Sequence, residues 1–165
     1  MSIPVLSIIG KSGVGKTTLL EKLIPELKQR GYRLATIKHH AHAGFEIDQP
    51  GKDTWRHAQA GSDCVVIAAP DKIATIQRLE QELSLDEITA RMDGVDIILT
   101  EGYKRAGKPA IEVVRTENST QLISAGPQLV AVATDMPLAV DVPQFDLNDA
   151  AAIADFIVAT FLKNP

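Results

Sequence analysis

Gly10-Lys11-Ser12-Gly13-Val14-Gly15-Lys16-Thr17-Thr18 follows directly on the apolar run Pro4-Val5-Leu6-Ser7-Ile8-Ile9, and the reading of this junction decides the fold. Its first eight residues satisfy G-x-x-x-x-G-K-[ST] in full, with a strand pattern ahead and an amphipathic helix pattern behind. The glycines permit backbone conformations that turn successive N–H groups toward phosphate oxygens, and the helix N-terminus adds its dipole. Lys16 is expected to reach the β and γ phosphates as a point charge. The Thr17 hydroxyl is expected to ligate Mg2+.

Similar apolar runs recur at 34–38, 64–69, 95–100, 110–115 and 129–133. Several are apolar on nearly every residue, the pattern of strands buried on both faces of a mostly parallel sheet. Helical patterns fall between them. The first carries Leu19, Leu20, Leu23, Ile24 and Leu27 on one face and stops at Gly31, with Pro25 inside predicting a kink or a break. A second is expected over about 53–60, a third over about 84–92 with Ser84 and Glu87 as a capping box, and a last over about 148–162. Pro70-Asp71 reads as a hairpin turn between 64–69 and 73–79. The expected fold is α/β, a three-layer α/β/α sandwich whose mostly parallel sheet carries an antiparallel edge hairpin, with residues 1–165 forming one domain.

The balance of charge is that of an ordinary globular protein, at a formal net −4. It gives no support to nucleic-acid binding, which shows as a basic excess. The stretch 116–165 holds six acidic residues against Lys163 alone, so a polyanion site belongs in the first 115 residues. Cys64, the one cysteine, cannot form an internal disulfide and reads as buried and inert. No basic n-region with a long apolar stretch opens the chain, and no apolar run approaches the roughly 18 residues that span a bilayer. A cytoplasmic location is expected.

A triphosphate site needs a carboxylate on its metal side, at the C-terminal end of a neighbouring buried strand. Asp96 and Glu101 lie about 16 Å apart along one strand, and only one can face the cradle. The carboxyl-end rule selects Glu101. The loop after the second strand would bring His39, His40, His42, Glu46, Asp48, Lys52 and Asp53 to the same edge. Asp48 is the better second metal-shell candidate, since Asp53 is placed to cap the next helix. The H-H-x-H spacing matches no zinc signature, so the histidines read as surface or phosphate-side residues, and Trp55 and His57 as packing residues. Two readings of Asp135 stand side by side: an acceptor for the ring N–H and amino group of guanine, or a turn aspartate before Met136-Pro137. The N-K-x-D guanine motif is not present, because Val132 and Ala133 occupy its Asn and Lys positions.

The motif GKSGVGKTTL, Ile37-Lys38-His39-His40-Ala41-His42, Asp48 through Arg56, Ala60-Gly61 and Ile98-Leu99-Thr100-Glu101-Gly102-Tyr103-Lys104 occur in this order. With them the chain resembles the MobB family of molybdopterin-guanine dinucleotide biosynthesis adaptor proteins, over about residues 3–156. The resemblance implies the P-loop NTPase fold and a GTP-binding protein with weak GTPase activity. It further implies a homodimer, with the 64–79 hairpin as candidate contact, and a role assisting the molybdenum cofactor guanylyltransferase. By motif position Gly10 to Thr18 carry over as the GTP phosphate site, and Lys16 and Glu101 are the catalytic candidates. Lys11 also resembles the signature lysine of the deviant-Walker dimeric ATPases, although an exposed loop lysine is the favoured reading. Two other classes compete. A small-molecule kinase or a ligase like dethiobiotin synthetase would need an arginine-rich lid, for which Arg105 and Arg115 are the nearby candidates. A metal-delivery GTPase would use His39, His40 and His42. With no evident acceptor pocket, lid or arginine finger, holding GTP with slow splitting is the expected behaviour.

Overall fold

The computed structural model describes residues 2–41, 44–118, 121–124 and 126–162. In chain order its elements are β1 Val5–Ile9, α1 Lys16–Gln29, β2 Leu34–Lys38, α2 Asp53–Gln59, β3 Cys64–Ala69, β4 Lys72–Gln77, α3 Leu85–Thr89, β5 Ile97–Glu101, β6 Ala110–Val114, β7 Leu129–Thr134, β8 Gln144–Asp146 and α4 Ala150–Phe161. They divide into two compact units, Met1–His39 with Ser84–Pro165, and His40–Leu83.

The first unit is built on a six-stranded sheet in the order β2-β5-β1-β6-β7-β8, and every pairing in it is parallel. β1 lies between β5 and β6, with Ile8 beside Glu101 on one side and Ile111 on the other. That central position explains the continuous apolar run: Leu6, Ile8 and Ile9 are buried from both faces. One face is covered by α1 and α4, whose Leu19, Leu23, Leu27, Ile153 and Ile157 pack on Leu6, Ile8, Leu99, Ile111 and Ala131. α1 runs unbroken through Pro25. Proline removes one backbone donor there, and the burial of four leucines outweighs the loss.

Residues one step along each strand turn to the opposite face, and several of these are polar and buried: Ser7, Thr100, Glu112 and Thr134. Each meets a partner, as buried polar groups must. The Thr100 hydroxyl donates to Ser7 Oγ at 2.9 Å. Glu112 accepts the Ile123 N–H at 2.7 Å, the Ser124 N–H at 3.0 Å and the Ser124 hydroxyl, so a buried carboxylate holds the 121–124 segment on this face. Lys108 pairs with Asp86 of α3 at 2.5 Å. A cavity of about 180 Å3 lined by Ser7, Ile9, Tyr103, Lys108, Ala110 and Ile123 lies here, below the roughly 300 Å3 at which ligand pockets begin. α3 opens on the expected capping box: Ser84 Oγ accepts the Glu87 N–H at 3.2 Å, and Glu87 accepts the Ser84 N–H at 2.8 Å. The Ser84 hydroxyl, then its backbone N–H, hold the Glu87 carboxyl below the usual carboxylate range.

The second unit corrects four expectations. β3 and β4 pair antiparallel from Cys64 opposite Gln77 to Ala69 opposite Lys72, but as a separate two-stranded sheet and not as an edge of the main one. Along this ribbon Val65 alone is buried, and Cys64 is exposed instead of buried. Asp53 is the first residue of α2 and not its cap; the N-cap is Lys52, with no side-chain bond. There Asp53 interacts favourably with the helix dipole. α2 has no buried residue: Trp55 is half-buried, and His57 is exposed in place of the expected packing role.

Candidate functional site

Gly10 takes the chain off β1 with a φ of +145°. A Cβ at this position would lie 2.5 Å from the Val113 carbonyl oxygen of β6, so the loop has to begin with glycine. Gly15 caps α1 in the left-handed region, and Lys16 is the first helical residue. The Lys16 side chain folds back over the loop and donates to the carbonyls of Lys11 at 2.6 Å and Gly10 at 3.2 Å. Burial lowers its pKa; Glu101 acts in the opposite sense, while Lys38 and Lys104 lower it further. An ammonium turned onto backbone carbonyls and crowded by other cations is placed to welcome an anion.

Thr17 donates its hydroxyl to Glu101 Oε2 at 2.9 Å, and Lys38 Nζ meets Glu101 Oε1 at 3.2 Å. The sheet register dictates this, since Glu101 stands beside Ile8 on one side and Lys38 on the other. The carboxylate is only 14 % exposed, against 64 % for Lys38, so it is fixed while the lysine reaches it from solvent. Asp96 stands at the opposite end of the same strand, where its carboxylate accepts the Arg33 N–H at 2.6 Å. Past Glu101 the chain turns through two residues of positive φ, Gly102 at 96° and Tyr103 at 57°. Tyr103 packs on His39 with ring centroids 4.6 Å apart; this imidazole belongs to an aromatic contact at the end of β2.

The remaining candidates are more dispersed. Lys11 and Thr18 lie exposed on the loop and the first turn of α1. Asp135, after β7, accepts the Thr116 N–H at 2.9 Å and the Thr116 hydroxyl at 2.8 Å on one oxygen. These bonds, the backbone one first, hold its pKa low. Asp48 belongs to the second unit, where Oδ1 accepts the Gln49 N–H at 2.8 Å and Oδ2 is buried with no hydrogen-bond partner. His40 lies edge-on to Phe45 in the same unit. His42 lies outside the described residues. Among the described residues no group of three or more His, Cys, Asp or Glu could hold a metal ion, so the Mg2+ reading rests on Thr17, Glu101 and loop geometry.

Sequence reasoning missed a second set of contacts to the loop. Arg115, just past β6, donates Nε to the Val14 carbonyl at 3.3 Å, and Asn118 donates its amide to the Ser12 carbonyl at 3.5 Å. The only signal available was an arginine at a strand's C-terminal end. The whole arrangement fits a triphosphate with a divalent cation: a loop that admits no Cβ at its start, a folded-back lysine, and a hydroxyl and a carboxylate converging beside it.

Residues 5–135 match the family described as molybdopterin guanine dinucleotide synthesis protein B. The chain belongs to this family. It is 42 % identical to the molybdopterin-guanine dinucleotide biosynthesis adapter protein of Haemophilus influenzae, over 94 % of this chain and 88 % of that protein. The namesake from Escherichia coli is 38 % identical, over 98 % and 95 % of the two. A crystal structure of molybdopterin-guanine biosynthesis protein B superposes with a TM-score of 0.74 at 34 % identity, over 94 % of this chain and 98 % of that one. Bacillus subtilis MobB gives 0.78 at 25 % identity, over 96 % and 98 %. These relatives share most of their length with this chain, and the two solved structures share its fold; no described helix is long and apolar enough to cross a membrane.

Proposed function

We propose that this chain is a GTP-binding adapter of molybdopterin-guanine dinucleotide biosynthesis, holding GTP with Mg2+ on residues 10–18, splitting it slowly, and serving the guanylyltransferase of that pathway. The observation that carries the reading is the Thr17 hydroxyl 2.9 Å from a Glu101 carboxylate held on its far side by Lys38, in a chain of this family. Mg2+, when bound, neutralises phosphate charge. Thr17 and Glu101 would supply oxygens to the cation, and Lys16 would exchange its loop carbonyls for phosphate oxygens. Lys38 keeps one Glu101 oxygen occupied, so the other is aimed. A carboxylate engaged by a lysine and a threonine serves charge placement better than proton abstraction, which supports slow turnover. Asp135, just past the C-terminal end of β7, is assigned to the guanine edge.

Calorimetric titration of GTP with and without Mg2+ tests this directly. The Glu101→Gln variant should keep metal-free GTP affinity within about twofold while losing at least about tenfold of the gain that Mg2+ confers. GTP binding that Mg2+ does not strengthen in the parent protein would overturn the metal assignment; a strong preference for ATP would overturn the function.

The β3–β4 ribbon supports a homodimer. Val66, Ile67 and Ile73 are 51 %, 57 % and 70 % exposed, and an isolated two-stranded ribbon is at best marginally stable. A second copy would cover these side chains. Ile67→Lys with Ile73→Lys is expected to convert a dimer to a monomer in sedimentation velocity at micromolar concentration. An unchanged sedimentation coefficient would remove the ribbon from the contact.

A further inference from the structure

We infer that the turn 115–118 is a positioning device that joins guanine recognition to the phosphate loop, with Arg115 and Asn118 aiming the loop amides and Thr116 aiming Asp135. The inference rests on the nucleotide reading above. Four residues make the device: the turn closes on the Asn118 N–H to the Arg115 carbonyl at 2.9 Å, and side chains leave it in two directions.

Toward the loop, Asn118 and Arg115 hold the carbonyls of Ser12 and Val14. No peptide bond in the described chain is cis, and in a trans peptide the C=O and the following N–H point opposite ways. Fixing the Ser12 and Val14 oxygens toward the turn therefore points the N–H groups of Gly13 and Gly15 away from it, into the concave side where an anion would lie. The fit is close. A Cβ on Gly13 would come 3.4 Å from the Asn118 amide nitrogen, and one on Gly15 would come 3.3 Å from an Arg115 guanidinium nitrogen. These two glycines leave room for the side chains that hold the loop.

Toward β7, Thr116 places both its N–H and its hydroxyl on one Asp135 oxygen. A carboxylate pinned twice at Oδ1 cannot rotate freely, and its Oδ2 faces a fixed direction. A guanine edge needs that: the ring N–H and the 2-amino group are two parallel donors that reward an acceptor already aimed. Because the turn is one short segment, base contact and phosphate cradle are joined through it without passing through the sheet.

The test measures GTP, ITP and bare tripolyphosphate, each with Mg2+, against the parent protein and four variants. ITP lacks the 2-amino group, and tripolyphosphate lacks the base altogether. In Thr116→Val, which keeps the backbone bond and removes the hydroxyl, the GTP-over-ITP preference should fall at least about threefold with tripolyphosphate affinity unchanged. Thr116→Ser should restore the preference. In Arg115→Met all three ligands should weaken about tenfold together. Asp135→Asn should abolish the preference. Parent-like GTP-over-ITP preference in Thr116→Val or in Asp135→Asn would overturn the inference, as would parent-like tripolyphosphate binding in Arg115→Met. If the parent binds tripolyphosphate but no guanine nucleotide more tightly, the nucleotide reading itself falls, a result distinct from any of these.

Discussion

Lys16→Ala is expected to weaken Mg2+–GTP binding by at least about a hundredfold, roughly 2.7 kcal/mol, while leaving the cooperative unfolding transition in place. Among the described residues Lys16 donates to two loop carbonyls, and these can turn to water, so the fold loses little. With ligand, the same ammonium would be the charge nearest the terminal phosphates in a partly desolvated loop. Charge-assisted bonds of that kind are worth about twice neutral ones. Neighbouring Lys38 does not replace it, since it is engaged with Glu101. Calorimetry reads the affinity and circular dichroism the fold; parent-like affinity would refute the phosphate site.

Gly10→Ala is expected to act on stability instead. The added methyl would sit 2.5 Å from the Val113 carbonyl oxygen and 3.0 Å from a Val14 methyl, at a φ that side-chain-bearing residues rarely adopt. Val113 cannot withdraw cheaply, because β6 is paired on both edges, to β1 and to β7. A loss on the order of 3 kcal/mol follows, comparable with backbone strain plus overpacking. At a slope of about 2 kcal/mol per molar urea this moves the unfolding midpoint down by about 1.5 M. A midpoint unchanged within error would mean that the loop can leave β1 by another path.

Much of this fold is legible in one dimension because the deciding signals are local. The strand-loop-helix junction at 5–18, the Ser84–Glu87 cap and the apolar stripe of α1 each lie within a few residues. Glu101 is legible for a different reason: a parallel sheet has a carboxyl edge, and counting along 96–101 tells which acid reaches it. What stayed hidden depends on distant partners. β8 is three residues long, flanked by Pro143, and is a strand only because Val132 and its neighbours offer an edge. Cys64 reads as core until the ribbon is seen to stand as its own sheet. The Arg115–Asn118 turn has no motif, and its contacts reach back a hundred positions to the loop. The donors of buried Glu112 come from the backbone of 123–124, beyond the apolar run that holds it.

The central place of β1 also sets a timetable for synthesis. Its two neighbours begin at Ile97 and Ala110, so the second strand to leave the ribosome's exit by sequence, β2, offers it no pairing. At roughly 5–20 residues per second, about 5–20 s separate translation of β1 from translation of β6. Until β5 is made the apolar Val5–Ile9 segment has no neighbouring strand, and until β6 is made the loop after it has no Val113 carbonyl to close against. The Gly10 junction, packed against Val113, therefore closes only once β6 is available.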